Sequence, residues 1–262
     1  MKTVLVTGAA GGMGAAICRN LTEAGCQVFA LDIRQVPVPG VKSVQCDITD
    51  LPSLEKARDR FYREFSHLDG IVHAAGIYDL DALSEMDDER FQRIFSINVF
   101  GVYRINRLFL PFMGKGGRIT VITSELAPLN PLPFTGIYAV TKSALDKYAY
   151  SLRSELALRE IHVSVIRPGA VNTGLLNVST GALERFCANT KNFAPNAAHF
   201  RDIVNRVEAK SVSPDRVAEL VRKSQLGNRP RYVYNLNRNF LLRLMSWLPD
   251  HLQVWILKWI LK

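Results

Sequence analysis

A phenol and an ammonium group stand four residues apart in the segment Tyr138-Ala-Val-Thr-Lys142. If the segment is helical, both side chains lie on one face of the helix. A free tyrosine titrates at about pH 10 and is a poor base at neutral pH, but a neighbouring cation lowers its pKa. The pair therefore predicts general acid–base chemistry with Tyr138 as the proton donor or acceptor. The same spacing also occurs by chance on ordinary helix surfaces.

A second group of candidate residues is rich in glycine and lies near the N-terminus, in Thr7-Gly8-Ala9-Ala10-Gly11-Gly12-Met13-Gly14. The apolar run before it predicts a strand over residues 3–7, and the pattern after it predicts a helix over residues 14–24. Glycines allow a tight turn and close approach of the backbone to a pyrophosphate, while a helix N-terminus offers free N–H groups to that anion. The turn therefore predicts a dinucleotide site, with a plain strand-to-helix turn as the alternative.

Asp32 ends the second predicted strand, 18 residues after Gly14. A carboxylate there can accept hydrogen bonds from the ribose hydroxyls of adenosine and would repel a 2′-phosphate, which favours NAD over NADP. Arg34 is the argument for NADP, because a guanidinium could pair with that phosphate. The residue directly after Asp32 is the uncharged Ile33, so we predict NAD as the cofactor and keep NADP as the alternative.

The elements that must position these residues alternate between strands and helices. Further strands are predicted at 27–31, 43–46, 70–73, 118–122, 162–166 and, as a candidate seventh, 231–234; helices are predicted at 54–65, 89–110 and 138–159. Alternation implies crossover connections and a parallel sheet, and strands that are apolar throughout are typical of sheets covered on both faces. We therefore predict a doubly wound, three-layer α/β sandwich of the Rossmann type, as a single domain over residues 1–262.

Taken in chain order, these motifs resemble the short-chain dehydrogenase/reductase superfamily in its short single-domain branch. The resemblance runs from Thr3 to about Leu236, and each motif is modest while the set is specific. The motifs are Thr7-Gly8-x-x-x-Gly12-x-Gly14, Asp32, Asp47, Ala74-Ala75-Gly76, Asn98, Ser124, Tyr138-x-x-x-Lys142 and Pro168-Gly169-x-x-x-Thr173.

The resemblance implies a role for each catalytic residue. Ser124 would hold the substrate oxygen, and Tyr138 would transfer the proton. Lys142 would bind the nicotinamide ribose and, with the positive nicotinamide ring, lower the Tyr138 pKa. Asn98 would hold a water that extends the proton relay from Lys142. The hydride chemistry belongs to the cofactor, and the protein supplies orientation and electrostatics.

The resemblance also implies a cofactor site. Asp47 and Ile48 would flank the adenine, and Pro168, Val171 and Thr173 would seat the nicotinamide carboxamide. The full set of expected cofactor-binding residues is Gly8, Gly11, Gly12, Met13, Gly14, Asp32, Asp47, Ile48, Ala74, Ala75, Gly76, Tyr138, Lys142, Pro168, Val171 and Thr173. The four cysteines form no C-x-x-C pair and have no histidine at zinc-ligand spacing, so we predict no metal site and reduced thiols.

Two positions depart from the family pattern. The family usually has Asn-Asn-Ala-Gly after the fourth strand, where this chain has His73-Ala74-Ala75-Gly76. We expect the lost amide to weaken a hydrogen bond between sheet and cofactor, and His73 to be structural rather than catalytic. Ser124 lies 14 residues before Tyr138, where 13 is common, and Thr123 is the rival hydroxyl.

Two C-terminal segments bear on the substrate. By the resemblance, residues 174–230 cover the active site, and their apolar side chains fit either a hydrophobic substrate or ordinary packing. The tail, residues 237–262, carries all three tryptophans among basic residues and is split at Pro249 and Asp250 into stretches too short for a membrane span. An interfacial helix on a membrane is favoured, with a sister-subunit contact and a roof over the pocket as alternatives. The apolar residues of the covering segment include Leu175, Leu176, Leu183, Phe186, Phe193 and Phe200.

The formal charge of +9 comes from basic residues that are mostly scattered, which argues against nucleic-acid binding and fits an anionic cofactor or membrane surface. No signal peptide is recognised at the start, so we expect a cytoplasmic location, peripheral to a membrane if the tail binds one. The predicted function is NAD(H)-dependent interconversion of a hydrophobic secondary or lipid-like alcohol and its carbonyl, by a homodimer or homotetramer. The alternatives are an NADPH-dependent lipid carbonyl reductase and a non-catalytic dinucleotide sensor, and the complete set of Ser124, Tyr138, Lys142 and Asn98 disfavours the sensor.

Overall fold

Seven parallel strands form a single sheet in this computed structural model, which describes residues 1–208 and 210–262, without the side chains of residues 175–178, 207 and 208. The strand order is β3-β2-β1-β4-β5-β6-β7, and every neighbouring pair is parallel. The predicted doubly wound fold is confirmed. The strands are β1 (Thr3–Thr7), β2 (Gln27–Asp32), β3 (Lys42–Gln45), β4 (Leu68–His73), β5 (Met113–Ile122), β6 (His162–Pro168) and β7 (Val233–Leu236).

Helices cover both faces of the sheet, and the strand residues divide between two apolar clusters. In β1, Leu5 packs with the helices of one face, whereas Val4 and Val6 pack with those of the other. This two-sided burial explains why the strands show no polar alternation. The first face carries α2 (Leu51–Glu64), α4 (Gly101–Phe109) and α5 (Gly136–Ala157); the second carries α1 (Gly12–Glu23) and α8 (Pro214–Leu226).

The helix predicted over 89–110 is interrupted. It consists of α3 (Asp88–Phe95), a π-helical turn (Ser96–Phe100) and α4, followed by a 3₁₀ turn (Leu110–Phe112). In the π turn the Gly101 N–H donates to the carbonyl of Ser96, five residues back, so the turn holds one residue more than an α-helix would. The turn buries Asn98 completely inside the protein. The periodicity of apolar residues does not predict this turn.

The covering segment consists of two helices that extend beyond the sheet and one that belongs to its outer layer. α6 (Gly174–Asn189) and α7 (Ala194–Glu208) form a third apolar cluster with Phe134, while α8 packs against α1. Phe134 has a positive φ of 64° and its ring centroid lies 4.5 Å from that of Phe186. Of the apolar side chains for which packing and substrate contact were both open, Leu183, Phe186 and Phe193 pack in this cluster, and Phe200 packs there and also lines the cavity at the carboxyl edge of the sheet. The side chains of Leu175 and Leu176 lie outside the described residues.

The tail folds back onto the protein as α9 (Phe240–Met245) and α10 (Asp250–Ile260), separated at Pro249 as predicted. Asn196 on α7 donates to the carbonyl of Leu261 at 2.7 Å, and Asn130 donates to the Asp250 carboxylate at 3.0 Å. None of the helices in the described part of the chain is both long and apolar enough to cross a bilayer.

His73, at the end of β4, is the first member of a hydrogen-bond chain that continues through Asn106 to Tyr148. Its Nε2 lies 2.9 Å from Asn106 Oδ1, and the Asn106 amide nitrogen donates to the Tyr148 hydroxyl at 3.0 Å. The proton of the ring is therefore assigned to Nε2, and Nδ1 is buried without a hydrogen-bond partner among the described residues. Burial lowers the pKa of His73 to about 4, which leaves the ring uncharged at neutral pH. The structural role expected of His73 stays a prediction.

His73 is expected to make the protein acid-labile. In the unfolded chain it binds a proton below about pH 6.5, whereas in the folded protein its pKa is about 4. Over that window the unfolded state binds more protons, so the free energy of unfolding decreases as pH falls, by on the order of 3 kcal/mol. Urea unfolding at pH 7 and pH 4.5 measures the decrease, which we expect to be smaller in His73→Asn. An equal decrease in both proteins would contradict the assignment.

Candidate active site

The functional residues converge at the carboxyl edge of the sheet, where parallel strands of a doubly wound fold present their ligand sites. The glycine turn follows β1, Ala74 and Gly76 follow β4, and Ser124 follows β5. With Tyr138 and Lys142 from α5, several of these residues line one cavity of about 370 Å³. The expected cofactor and catalytic residues that line it are Met13, Ala74, Gly76, Ser124, Tyr138, Lys142, Pro168, Val171 and Thr173.

The glycine turn is built for close backbone approach. Gly8 has a φ of +68°, and a Cβ there would lie 2.6 Å from the backbone N and Cα of Ala75. A Cβ on Gly14 would lie 2.0 Å from the Gly8 carbonyl oxygen, and one on Gly12 would lie 2.9 Å from the Thr173 side chain. No side chain caps α1 at Gly11, so the N–H groups of its first turn remain for an anion. These features fit the pyrophosphate of a dinucleotide.

The adenosine end of the expected site lies farther along the same edge. Asp32 Oδ2 accepts from the Ala10 N–H at 2.9 Å, and Oδ1 accepts from the Arg34 N–H at 2.9 Å. The Arg34 guanidinium lies 3.6 Å from Asp32 Oδ1, with its side chain 66% exposed. Asp47 is exposed and accepts from Thr49. The arginine that argued for NADP thus contacts the carboxylate that argued for NAD.

Ile48 and Ala75, two of the expected cofactor-binding residues, make close contacts within the protein. A Cβ on Gly101 would lie 2.5 Å from Ile48 Cδ1, so α4 and the segment after β3 are in close contact, and Ile48 is buried there. Ala75 donates its N–H to the Thr7 hydroxyl at 3.3 Å. The expected contact of Ile48 with adenine stays a prediction.

Tyr138 lies in the first turn of α5, with its ring centroid 4.8 Å from that of Tyr78. Burial raises the pKa of Tyr138 to about 12, and a hydrogen bond with Ser124 acts in the opposite direction. The Lys142 Nζ is 5.6 Å from the centroid of the Tyr138 ring. The lowered pKa expected for Tyr138 depends on the Lys142 cation together with a bound nicotinamide ring, so it stays a prediction.

Lys142 is a buried cation beside the same cavity. Its Nζ donates to the Ile122 carbonyl at 3.1 Å and would lie 3.4 Å from a Cβ on Gly76. Burial lowers the pKa of Lys142 to about 8, which leaves it mostly charged at neutral pH. The cation is thus positioned between the end of β5 and the turn after β4.

The Asn98 amide joins the turn after β4 to α5. Its Oδ1 accepts from the Ile77 N–H at 2.9 Å, and its Nδ2 donates to the Ile77 carbonyl at 3.0 Å and to the Thr141 hydroxyl at 3.1 Å. Both ends of the amide are therefore engaged with the protein. Asn98 holds in place the segment that carries Gly76 and the helix that carries Tyr138.

The structure distinguishes between the two candidate hydroxyl groups after β5. Both residues line the cavity, and Ser124 is the one that hydrogen-bonds with Tyr138. Thr123 donates to the Asp146 carboxylate and to the Ile166 carbonyl, both at 3.3 Å, so its hydroxyl is engaged away from Tyr138. Ser124 is the hydroxyl that the fold brings to the phenol.

The tail forms a wall of the cavity, which is one of the roles expected for it. Residues from both tail helices line the cavity, among them Leu242, Met245 and Leu257. The inner face of the tail thus covers the pocket, as one of the alternatives predicted. In the sequence, the amphipathic pattern of the tail was the signal for this contact, but such a pattern fits burial against any apolar surface.

Sequence reasoning also missed Glu125, which directly follows Ser124. This carboxylate is 7% exposed and lines the cavity, whose other lining residues are mostly apolar. Burial raises its pKa above the ordinary value. Its position next to Ser124 was the only signal in the sequence.

Comparison with known proteins shows the family of this chain. A family model described as short chain dehydrogenase matches residues 2–182. An oxidoreductase of Methylorubrum extorquens is 32% identical over 184 residues, covering 66% of this chain and 74% of that protein. The 3-ketodihydrosphingosine reductase of Bacteroides thetaiotaomicron is 24% identical over 262 residues, covering 98% and 97%.

The fold is shared with solved structures. A short-chain dehydrogenase from Streptomyces avermitilis superposes with a TM-score of 0.78 at 23% identity, covering 98% of this chain and 95% of that one. The family match spans the glycine turn, the Ser124, Tyr138 and Lys142 group and the end of β6. The chain is therefore an oxidoreductase that belongs to the short-chain dehydrogenase family.

Proposed function

We propose that this chain interconverts a hydrophobic, long-chain secondary alcohol and its ketone with NAD(H). The observation that carries the proposal is the position of Ser124, Tyr138 and Lys142 in a cavity whose remaining walls are mostly apolar and include the tail. The cavity volume of about 370 Å³ is in the usual range for sites that enclose small molecules. The reductase from Bacteroides thetaiotaomicron, whose name indicates a lipid ketone, matches nearly the whole chain, which supports this substrate class.

In this proposal each residue has one task. The bound nicotinamide supplies or accepts the hydride. Ser124 donates a hydrogen bond to the substrate oxygen and so holds the carbonyl in place. Tyr138 donates its phenol proton to that oxygen in reduction, and in oxidation its phenolate accepts the proton of the alcohol. Lys142 provides the positive charge that stabilises the phenolate, and Asn98 positions the segments around them.

A chain-length series tests the substrate class. Purified protein is given reduced nicotinamide with methyl ketones from acetone to long-chain members, and the loss of nicotinamide absorbance is followed. We expect kcat/KM to rise with chain length, because each added methylene that is buried contributes about 0.8 kcal/mol. A series in which acetone is the best substrate would contradict the proposal.

We propose NAD rather than NADP, because the Asp32 carboxylate would repel a 2′-phosphate. Asp32→Asn keeps an oxygen that can accept from Ala10 and removes the charge. We expect the ratio of NADP to NAD affinity to rise about tenfold or more in this variant, measured by titration of bound nucleotide. Arg34→Gln is the control, and we expect little change because the Arg34 guanidinium lies against Asp32. Tighter binding of NADP than NAD by the unaltered protein would favour the NADPH-dependent alternative.

We also propose that the outer face of the tail rests on an anionic membrane surface while its inner face closes the cavity. Trp247, Trp255 and Trp259 are 73%, 64% and 73% exposed. The only acidic residue of the tail, residues 237–262, is Asp250, whereas Arg243, Lys258 and Lys262 are exposed cations. Tryptophan and cations on one short amphipathic unit are typical of interfacial helices.

Replacing the three exposed tryptophans with serine tests this surface without removing the cavity wall. We expect the substituted protein to bind vesicles of equal parts phosphatidylglycerol and phosphatidylcholine at least about tenfold more weakly in a sedimentation assay. We expect salt to weaken the binding of the unaltered protein. Tyr62→Ser with Tyr150→Ser, at two other exposed aromatic residues, is the control. Equal sedimentation of both substituted proteins would rule out the tail as the anchor.

We propose a homodimer or homotetramer, as members of this family are typically oligomeric. Two exposed aromatic residues fit a contact with a second copy of the chain. Phe100 directly precedes α4 and Tyr103 lies on it, in the helices that cover one face of the sheet. Sedimentation velocity measures the state.

A further inference from the structure

Glu125 is a buried carboxylate in a mostly apolar substrate cavity. Its Oε2 accepts from the Asn239 N–H at 2.6 Å, and its Oε1 lies where a Cβ on Gly169 would be only 2.8 Å away. Asn239 and Gly169 both line the cavity, as Glu125 itself does. The carboxylate therefore lies at the wall between the end of β6 and the start of the tail.

The protein provides little positive charge for this carboxylate. Among the described residues, no lysine, arginine or histidine nitrogen forms an ion pair with Glu125 within 4.0 Å. Arg238 acts only from a distance, and burial outweighs it in raising the Glu125 pKa. A buried carboxylate is costly unless it is paired or hydrogen-bonded, so a cation in the cavity would be bound favourably.

Glu125 lies close to the residues that are proposed to hold the reacting atoms. Consecutive Cα atoms are about 3.8 Å apart, and Glu125 follows Ser124, whose hydroxyl bonds with Tyr138. Both side chains line the same cavity. A cationic group that reaches Glu125 while the substrate oxygen reaches Ser124 must therefore lie within a few bonds of the reacting carbon.

We propose that Glu125 binds a protonated amine of the substrate close to the reacting carbon, so that the preferred substrate is a long-chain amino alcohol or amino ketone. The inference rests on the proposed function and deepens it. The apolar walls, such as Leu126, Leu132 and Leu257, take the alkyl chain. The Glu125 carboxylate makes an ion pair with the ammonium, and no covalent step involves it.

A positioning role is the competing explanation, because the Asn239 N–H that Glu125 accepts from is at the N-cap of α9. Glu125→Gln separates the two roles. The amide oxygen of glutamine still accepts from Asn239, whereas the charge is removed. Glu219→Gln, at an exposed position on α8, is the matched control.

The experiment compares a long-chain amino alcohol with the secondary alcohol of equal length that lacks the amine. We expect the unaltered protein to prefer the amino alcohol, and Glu125→Gln to lower its kcat/KM by about tenfold to a hundredfold, mainly through KM. We expect kcat/KM for the plain alcohol to change by much less than that for the amino alcohol, because the plain alcohol has no charge that Glu125 could pair with. Equal losses for both alcohols would overturn the proposal and favour the positioning role.

A binding measurement separates this proposal from the proposed function. A long-chain alkylamine is expected to raise the thermal midpoint of the nucleotide-free protein, and to do so much less in Glu125→Gln. Turnover of the plain alcohol without any preference for the amino alcohol would overturn the proposal and leave the proposed function intact. No turnover of either alcohol, together with amine binding that depends on Glu125, would overturn the proposed function and support the amine site.

Discussion

Tyr138→Phe is expected to lower kcat/KM for ketone reduction by about a hundredfold to ten-thousandfold. The substitution removes the hydroxyl that bonds with Ser124 and would deliver the proton, and it keeps the ring that packs on Tyr78. Because the ring remains, we expect the affinity for nucleotide to change by no more than about threefold. Differences in binding free energy are compared with an accuracy of a few tenths of a kcal/mol. Steady-state kinetics and a nucleotide titration measure the two quantities.

Tyr78→Phe is the matched control for this prediction. Tyr78 lines the same cavity and its ring is in contact with that of Tyr138, so the variant removes a phenol from the same surroundings. We expect a loss well below that of Tyr138→Phe. A similar loss in both variants would mean that a general change in the cavity, and not the Tyr138 proton, determines the rate.

Gly8→Ala is expected to abolish nucleotide binding and to lower the free energy of unfolding by about 2 to 5 kcal/mol. An L-residue with this positive φ costs about 1 to 2 kcal/mol, and overpacking adds about 1 to 3 kcal/mol. The overlap is with backbone, because the new Cβ would lie 2.6 Å from Ala75 N and Cα. The turn must therefore shift, and the N–H groups of α1 shift with it. Urea unfolding and a nucleotide titration measure both effects.

Gly25→Ala isolates the backbone overlap from the cost of the conformation. Gly25 has a φ of +80°, close to that of Gly8, but a Cβ there would meet nothing within 4 Å. We expect a loss of stability near 1 kcal/mol and unchanged nucleotide affinity. If the two variants lost equal stability and both still bound nucleotide, the close contact between the glycine turn and Ala75 would have no functional part.

Most of the sheet could be predicted from the sequence because its determinants are local. Most strands contain a short apolar run bounded by polar or glycine residues. The boundaries differ from the predictions by one or two residues for β3 and β7, and β5 begins at Met113 rather than at residue 118. A strand that is buried on both faces has an apolar sequence whichever strands it pairs with. The glycine turn is equally local, since it directly joins β1 to α1.

The break in the helix over residues 88–109 was not predictable in the same way. A π turn leaves the amphipathic pattern on either side nearly unchanged. What selects it is the fit of Asn98 against Ile77 and Thr141, which come from other parts of the chain. The pKa of Tyr138 is a similar case, because its direction follows from burial and not from the spacing to Lys142.

By itself, the sequence determined the fold class, the family and the residues at the carboxyl edge of the sheet, because these depend on local patterns and on motifs in a set order. Only the tertiary structure decided that Ser124 rather than Thr123 faces Tyr138, that the tail closes the cavity, and that Glu125 is buried beside it. An amphipathic segment fits any apolar surface, and a carboxylate next to a serine is exposed or buried according to what packs over it. Both outcomes depend on contacts between residues far apart in the chain, which local patterns do not encode.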